Sequence, residues 1–122
     1  MNLNALRVRK NIYGWVPDLP DHRDKSYSVL ALAAATLPES IDLRPECSPI
    51  ENQLELGSCT ANALVGNLEY LKMKSLDKLL DFSRLFIYYN ERVISHTVNI
   101  DSGASLRDGI KTLAKKGRSA RR

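Results

Sequence analysis

The stretch Ser48–Lys74, SPIENQLELGSCTANALVGNLEYLKMK, decides how this chain folds and where its chemistry sits. Its first part has no helical period. From Ala61 onward, Ala61, Leu64, Val65, Leu68, Leu71 and Lys72 recur at helical spacing, which predicts a helix running to about Lys74. The small residues Ala61, Ala63 and Gly66 allow close approach, so this helix is expected at the centre. Gly57-Ser58 forms the turn that leads into it and puts Cys59 in its first turn. There, free backbone N–H groups and the helix dipole stabilise a thiolate, the form in which a thiol attacks a carbonyl. The oxyanion created by that attack needs donors. The Cys59 N–H is one candidate, and the side-chain amide of Gln53, six positions earlier, is the other. A cysteine at a helix start is otherwise a small core residue. Gln53 and Gly57-Ser58 turn the reading towards a nucleophile.

Outward from this stretch the chain divides into three parts. Residues 1–36 form an extension in which Pro17 and Pro20 favour an extended path, leaving Trp15, Val16 and Leu19 to adhere to an apolar surface. It reads as a strap lying on the body. Residues 37–117 form a helical lobe. It opens with irregular or strand-like sequence around Pro38, Pro45 and Pro49, followed by the Cys59 helix. A second helix is predicted from Ser83, its N-cap, with Leu85, Phe86, Tyr89 and Val93 as its apolar face. A polar linker, Asn99–Ala104, made flexible by Gly103, leads to a third helix. Ser105 and Asp108 give that helix a capping pattern. Leu106, Ile110, Leu113 and Ala114 are expected to face the core, with Lys111, Lys115 and Lys116 at the C-terminal end and Gly117 as the stop. Residues 118–122, RSARR, form a basic tail without pattern, as at a truncated or frame-shifted end.

The net charge of +4 belongs largely to that end: five of the 18 bases lie in the last eight residues. The remaining body is near neutral and lacks the basic face with interleaved aromatics of a nucleic-acid binder. With 43% apolar residues, the chain is expected to fold. Its two cysteines, Cys47 and Cys59, make no disulfide framework, and Cys47 reads as a buried small residue. No Cys/His spacing suits a metal, and neither a metal nor another cofactor is expected. His22, between Asp21 and Arg23, reads as solvated turn chemistry, and His96 as a surface or hinge residue. No stretch approaches a membrane span. The run Val29–Leu37, VLALAAATL, is too short and too far from the start for a secretion signal and reads as a short helix or linker. Cytoplasmic and non-classically secreted locations both remain open.

The ordered set Pro38-x-x-x-Asp42-Leu43-Arg44, Ser48-Pro49-Ile50-Glu51-Asn52-Gln53 and Gly57-Ser58-Cys59 resembles the mature start of papain-like cysteine peptidases. Those begin P-x-x-x-D-W-R, continue through P-V-x-N-Q and reach G-S-C. The likeness is greatest to the bacterial, xylellain-like branch, whose D-H-R-D strap Asp21-His22-Arg23-Asp24 matches. The resemblance implies an α+β, two-lobed fold, of which this chain supplies mainly the α-helical lobe, about three helices with extended connections. It implies cleavage of peptide bonds through a thioester on Cys59, with Gln53 in the oxyanion hole. Gly57, Ser58, Gly103 and Ser102 would meet the peptide or protein substrate, and Ala104 would line the same groove.

Two departures stand out. Thr60 occupies the position where the family usually has Trp. Leu56 stands where the family often has a Cys paired to the substrate loop, and this loop has no Cys, so that disulfide is absent. The family's His and Asn follow the nucleophile by roughly 130–150 residues, beyond Arg122. The chain by itself is therefore expected to be inactive and to need the C-terminal lobe as partner. The alternative is a non-catalytic or inhibitory fragment that binds a peptidase, or associates with itself, through an exposed apolar helix face.

Overall fold

A computed structural model describes residues 13–25 and 38–116. The expectations for residues 1–12, the VLALAAATL run, the Gly117 stop and the RSARR tail lie outside the described residues. Three helices make up the body: α1, Cys59–Leu76; α2, Arg84–Ile94; and α3, Leu106–Lys116. Each packs against the other two. The proline-bearing lead-in is irregular apart from a 3-10 turn at Arg44–Glu46. Among the described residues there is no named strand, only an isolated parallel bridge between Trp15 and Ala104. No helix there is long and apolar enough to cross a membrane.

The helix starts fall where the sequence puts them. Ser83 Oγ accepts from Phe86 N at 3.2 Å, and Ser105 Oγ accepts from Asp108 N at 3.2 Å. α1 runs two residues past Lys74 and stops at Asp77, which takes a left-handed conformation (φ 49°) and donates its N–H to Met73 O at 2.8 Å.

The helix faces differ from expectation. On α2, Leu85 and Tyr89 turn outward, while Arg84, Ile87, Tyr88, Asn90 and Glu91 are buried. On α3, Leu106, Ile110 and Ala114 face outward, and Gly109 and Thr112 are the buried residues. Leu71 of α1 is exposed as well. The cause is a core built partly from charged and polar groups. Ala61, Val65, Phe82, Ile87, Tyr88 and Ala104 form its apolar part, with Leu56, Leu68, Leu80, Phe86 and Leu113 packed against it. Beside them, Arg84 NH2 donates to Glu69 Oε2 at 2.8 Å, and Glu69 Oε1 accepts from Phe82 N at 2.9 Å. Satisfying these groups fixes the rotation of α2, which leaves Leu85 and Tyr89 of its apolar stripe on the surface while Phe86 packs inward.

Glu69 is 1% exposed and Arg84 6%. Removing one member of such a pair strands a charge away from water. Arg84→Met is therefore expected to lower the unfolding free energy by about 3–5 kcal/mol, measured by urea denaturation. The double variant Glu69→Leu/Arg84→Met should recover most of that loss.

Candidate active site

Cys59 is the first residue of α1 and is half-buried. The turn before it is tightly determined. Asn52 Oδ1 accepts from Leu54 N at 2.9 Å, and Leu54 sits at φ 55°, a left-handed conformation that costs a non-glycine residue about 1 kcal/mol or more. Leu56 O receives both Ser58 N, at 2.8 Å, and the Gln53 side-chain amide, at 2.7 Å. Gln53 is thereby braced against the turn with one of its two amide hydrogens, and the other is not used in this bond. Ser58 occupies the N-cap position, but its side chain caps nothing. Its hydroxyl instead accepts from Asn62 Nδ2 at 3.1 Å. The first N–H groups of an α-helix have no intrahelical acceptor. The start of α1 therefore offers donors beside the Cys59 thiol without a serine capping them.

An open apolar pocket of about 270 Å³ lies at the thiol, lined by Trp15, Cys59, Thr60, Ala63 and Leu106. Two of these, Trp15 and Leu106, come from chain segments far from Cys59 in sequence. No histidine lines this pocket. His22 is exposed in the turn at residues 21–24, and His96 is exposed after α2 in a left-handed conformation (φ 59°). Among the described residues no group of three or more His, Cys, Asp or Glu side chains could hold a metal ion. Cys47, read from the sequence as buried, is exposed.

The strap reaches the site. Ala104 N donates to Gly14 O at 2.8 Å, and Val16 N donates to Ala104 O at 2.9 Å. Gly14 lies against two other glycines at near-contact distance. A Cβ at Gly14 would come within 2.1 Å of Gly57 O, and one at Gly103 within 1.9 Å of Gly14 O. Further along, Arg107 at the start of α3 holds the strap. Its backbone N–H donates to Asp18 Oδ1 at 3.1 Å, and its guanidinium donates to Asp24 Oδ2 at 2.8 Å and Leu19 O at 3.3 Å. Asp21 accepts a bidentate bond from Arg23, which holds its carboxyl down at about 2. The Arg107 hydrogen bond likewise lowers that of Asp24.

The groove residues expected from sequence fare unevenly. Gly57 and Gly103 are both buried against the strap. Gly103, at φ 73°, directs its N–H inward to the Tyr88 hydroxyl at 3.1 Å, so the pairing edge is Ala104. Ser102 commits its hydroxyl to Thr97 Oγ1 at 2.7 Å and Gly103 O at 3.1 Å. Sequence reasoning missed Gly14, Tyr88, Asp101 and Arg107. Gly14, inside an otherwise apolar strap segment, was the one with a usable signal.

Thr60 donates its hydroxyl to Glu91 Oε2 at 3.0 Å, tying the residue after Cys59 to α2. Glu91 is fully buried and its Oε1 has no hydrogen-bond partner. Gly109 leaves room for it, because a Cβ there would lie 2.4 Å from that oxygen. Burial pushes the Glu91 carboxyl up to about 7, the Thr60 hydrogen bond offsets part of this, and the Asp108 charge adds to it.

This arrangement, a cysteine opening a central helix after a glycine turn in which a glutamine side chain is braced, is that of the helical lobe of a papain-like cysteine protease. The solved structure of xylellain, a cysteine protease from Xylella fastidiosa, superposes with a TM-score of 0.74 at 44% identity over 94% of this chain and 43% of that one. A peptidase C1-like protein of Acanthamoeba polyphaga mimivirus is 37% identical, covering 86% of this chain and 39% of the relative. A viral cathepsin of a Cydia pomonella granulosis virus is 36% identical over 70 residues, 56% of this chain and 18% of that protein. No protein-family model matches the chain. The chain thus spans 39% of the mimivirus relative's length and 43% of xylellain's. It belongs to the papain-like cysteine peptidases and corresponds to their helical lobe.

The buried carboxylate beside Thr60 has a consequence for stability. Between the ordinary Glu value of 4.5 and the folded value of about 7, the native state holds a proton that the unfolded chain has released. Stability is therefore expected to fall as pH rises through that window, by roughly 3 kcal/mol, and then to level off. Glu91→Gln should remove this slope, as read from thermal midpoints between about pH 4 and 8.

Proposed function

We propose that this chain is the nucleophile-bearing lobe of a cysteine peptidase that cleaves peptide bonds in peptide or protein substrates. In this reading the Cys59 thiolate adds to the scissile carbonyl and forms the C–S bond. The oxyanion is held by the Cys59 N–H and the second hydrogen of the Gln53 amide. Collapse of the intermediate expels the amine, which takes its proton from an imidazolium, and water then hydrolyses the thioester. The observation that carries the reading is Cys59 at the uncapped start of α1, facing an open pocket, with Gln53 braced in the turn that leads into it. In this reading the imidazole is supplied by the C-terminal lobe that the family resemblance implies, since no histidine lines the Cys59 pocket. These 122 residues alone should therefore not turn over a peptide.

The strap gives this lobe a second property. Gly14 and Trp15 occupy the Gly57–Ala104 side of the groove and the mouth of the Cys59 pocket, so a substrate must displace them. We read the arrangement as latent. A non-catalytic role, binding a peptidase or a second copy, is the competing reading. The outward apolar residues Leu85, Tyr89 and Ile110 favour it, and it requires binding that survives Cys59→Ser.

The test is labelling by a thiol-directed peptide electrophile, read by mass spectrometry with Cys47 as internal control. Cys59 should react ahead of Cys47, and Gly14→Ala should speed Cys59 by about tenfold, since the added methyl cannot fit and the strap must lift. Equal labelling of both cysteines in native and Gly14→Ala proteins would sink the peptidase reading.

A further inference from the structure

We infer that Asp101 is a positioning residue that staples the nucleophile turn to the groove edge, with Tyr88 as its buried anchor. The inference rests on the peptidase reading of Cys59. Both carboxylate oxygens of Asp101 accept from the Gly57 N–H, at 3.1 and 3.0 Å. The Tyr88 hydroxyl donates to Asp101 Oδ1 and accepts from Gly103 N at 3.1 Å. One continuous network therefore runs from the turn two residues before Cys59 to the residue next to Ala104, the edge that pairs with an extended chain. It joins segments 44 positions apart in sequence.

The anchor is rigid. Tyr88 is fully buried, and burial together with its bond to Asp101 pushes its hydroxyl up to about 12, so it stays a donor through the neutral range. The Arg92 guanidinium stacks over the Tyr88 ring at 4.2 Å and donates to Val98 O at 3.3 Å and Ile100 O at 3.2 Å. This fixes the loop that delivers Asp101. Tyr88 and Arg92 lie one turn apart on α2 and act on the loop from one face. The space is also matched, because a Cβ at Gly57 would sit 3.0 Å from Asp101 Oδ1 and 3.4 Å from the Tyr88 hydroxyl. The turn and the loop contain no cysteine that could make a covalent tie. The hydrogen-bonded staple takes that place and is indifferent to reduction.

A staple of this kind holds the α1 start, with its donors and the Cys59 sulfur, at a fixed height relative to the bound backbone. Without the Asp101 carboxylate, the Gly57 N–H and the buried Tyr88 O–H both lose their acceptor. Asparagine at the same position keeps a carbonyl oxygen for them.

The experiment uses the 122-residue chain with Asp101→Ala and Asp101→Asn, and two readouts. The first is amide hydrogen exchange at Gly57 and Gly103. The second is the rate of iodoacetamide alkylation of Cys59 relative to Cys47 at pH 7. Asp101→Ala is expected to speed exchange at Gly57 by about tenfold or more and to bring the Cys59 rate down towards that of Cys47. Asp101→Asn should restore both. Unchanged Gly57 exchange in Asp101→Ala would overturn the staple. Faster exchange with an unchanged Cys59 to Cys47 ratio would overturn its positioning role, as would failure of Asp101→Asn to rescue. A native ratio near one would count against the peptidase reading, and the exchange readout would still decide whether the staple exists.

Discussion

The contact between Glu69 and Arg84 is the joint from which the rest of this lobe is set. It fastens the middle of α1 to the first residue of α2 inside a core with few large apolar side chains. A hydrophobic contact tolerates some sliding, whereas a buried ion pair with a third hydrogen bond to Phe82 N does not. Once α2 is fixed in rotation, Tyr88 and Glu91 fall on its inner side. There they meet the two segments that matter chemically: Tyr88 the 101–103 loop, and Glu91 the residue after Cys59. Stability and site geometry are thus consequences of one helix orientation.

The site itself is shaped by how closely backbones approach. Gly14, Gly57 and Gly103 allow three main-chain segments to come together where any side chain would intervene. In that space an extended chain can hydrogen-bond to the Ala104 edge and pass the mouth of the Cys59 pocket. The strap does so now, and Arg107 holds it from the far side through Asp18 and Asp24. The Arg107 hydrogen bond lowers the Asp24 carboxyl below its ordinary value, which favours the charged form that Arg107 holds.

Much of this was legible in the sequence, for reasons of local chemistry. Ser83 and Ser105 were readable as helix starts because capping depends on a few neighbouring atoms. The helix start at Cys59 after Gly57-Ser58 was readable because the helical period begins directly behind that turn. The inner faces of α2 and α3 were readable only in part, at Phe86 and Leu113. Apolar periodicity assumes that the core takes the apolar stripe, and here Arg84, Glu91 and Thr112 are inside while Leu85, Tyr89, Leu106 and Ile110 are outside. The Tyr88–Asp101–Gly57 network and the Arg107 hold were invisible for a different reason. They join residues far apart in the chain, and no local pattern marks such partners.

The same distance along the chain bears on the order of events during synthesis. Arg107 and Asp18, at the two ends of the strap's attachment, are separated by 89 positions. Closing so long a loop is slow relative to forming a helix, and it cannot begin until the distal segment has left the ribosome. Asp101, Ala104 and Arg107 emerge almost together. The partners of the turn before Cys59 and of the strap therefore become available in the same interval of translation.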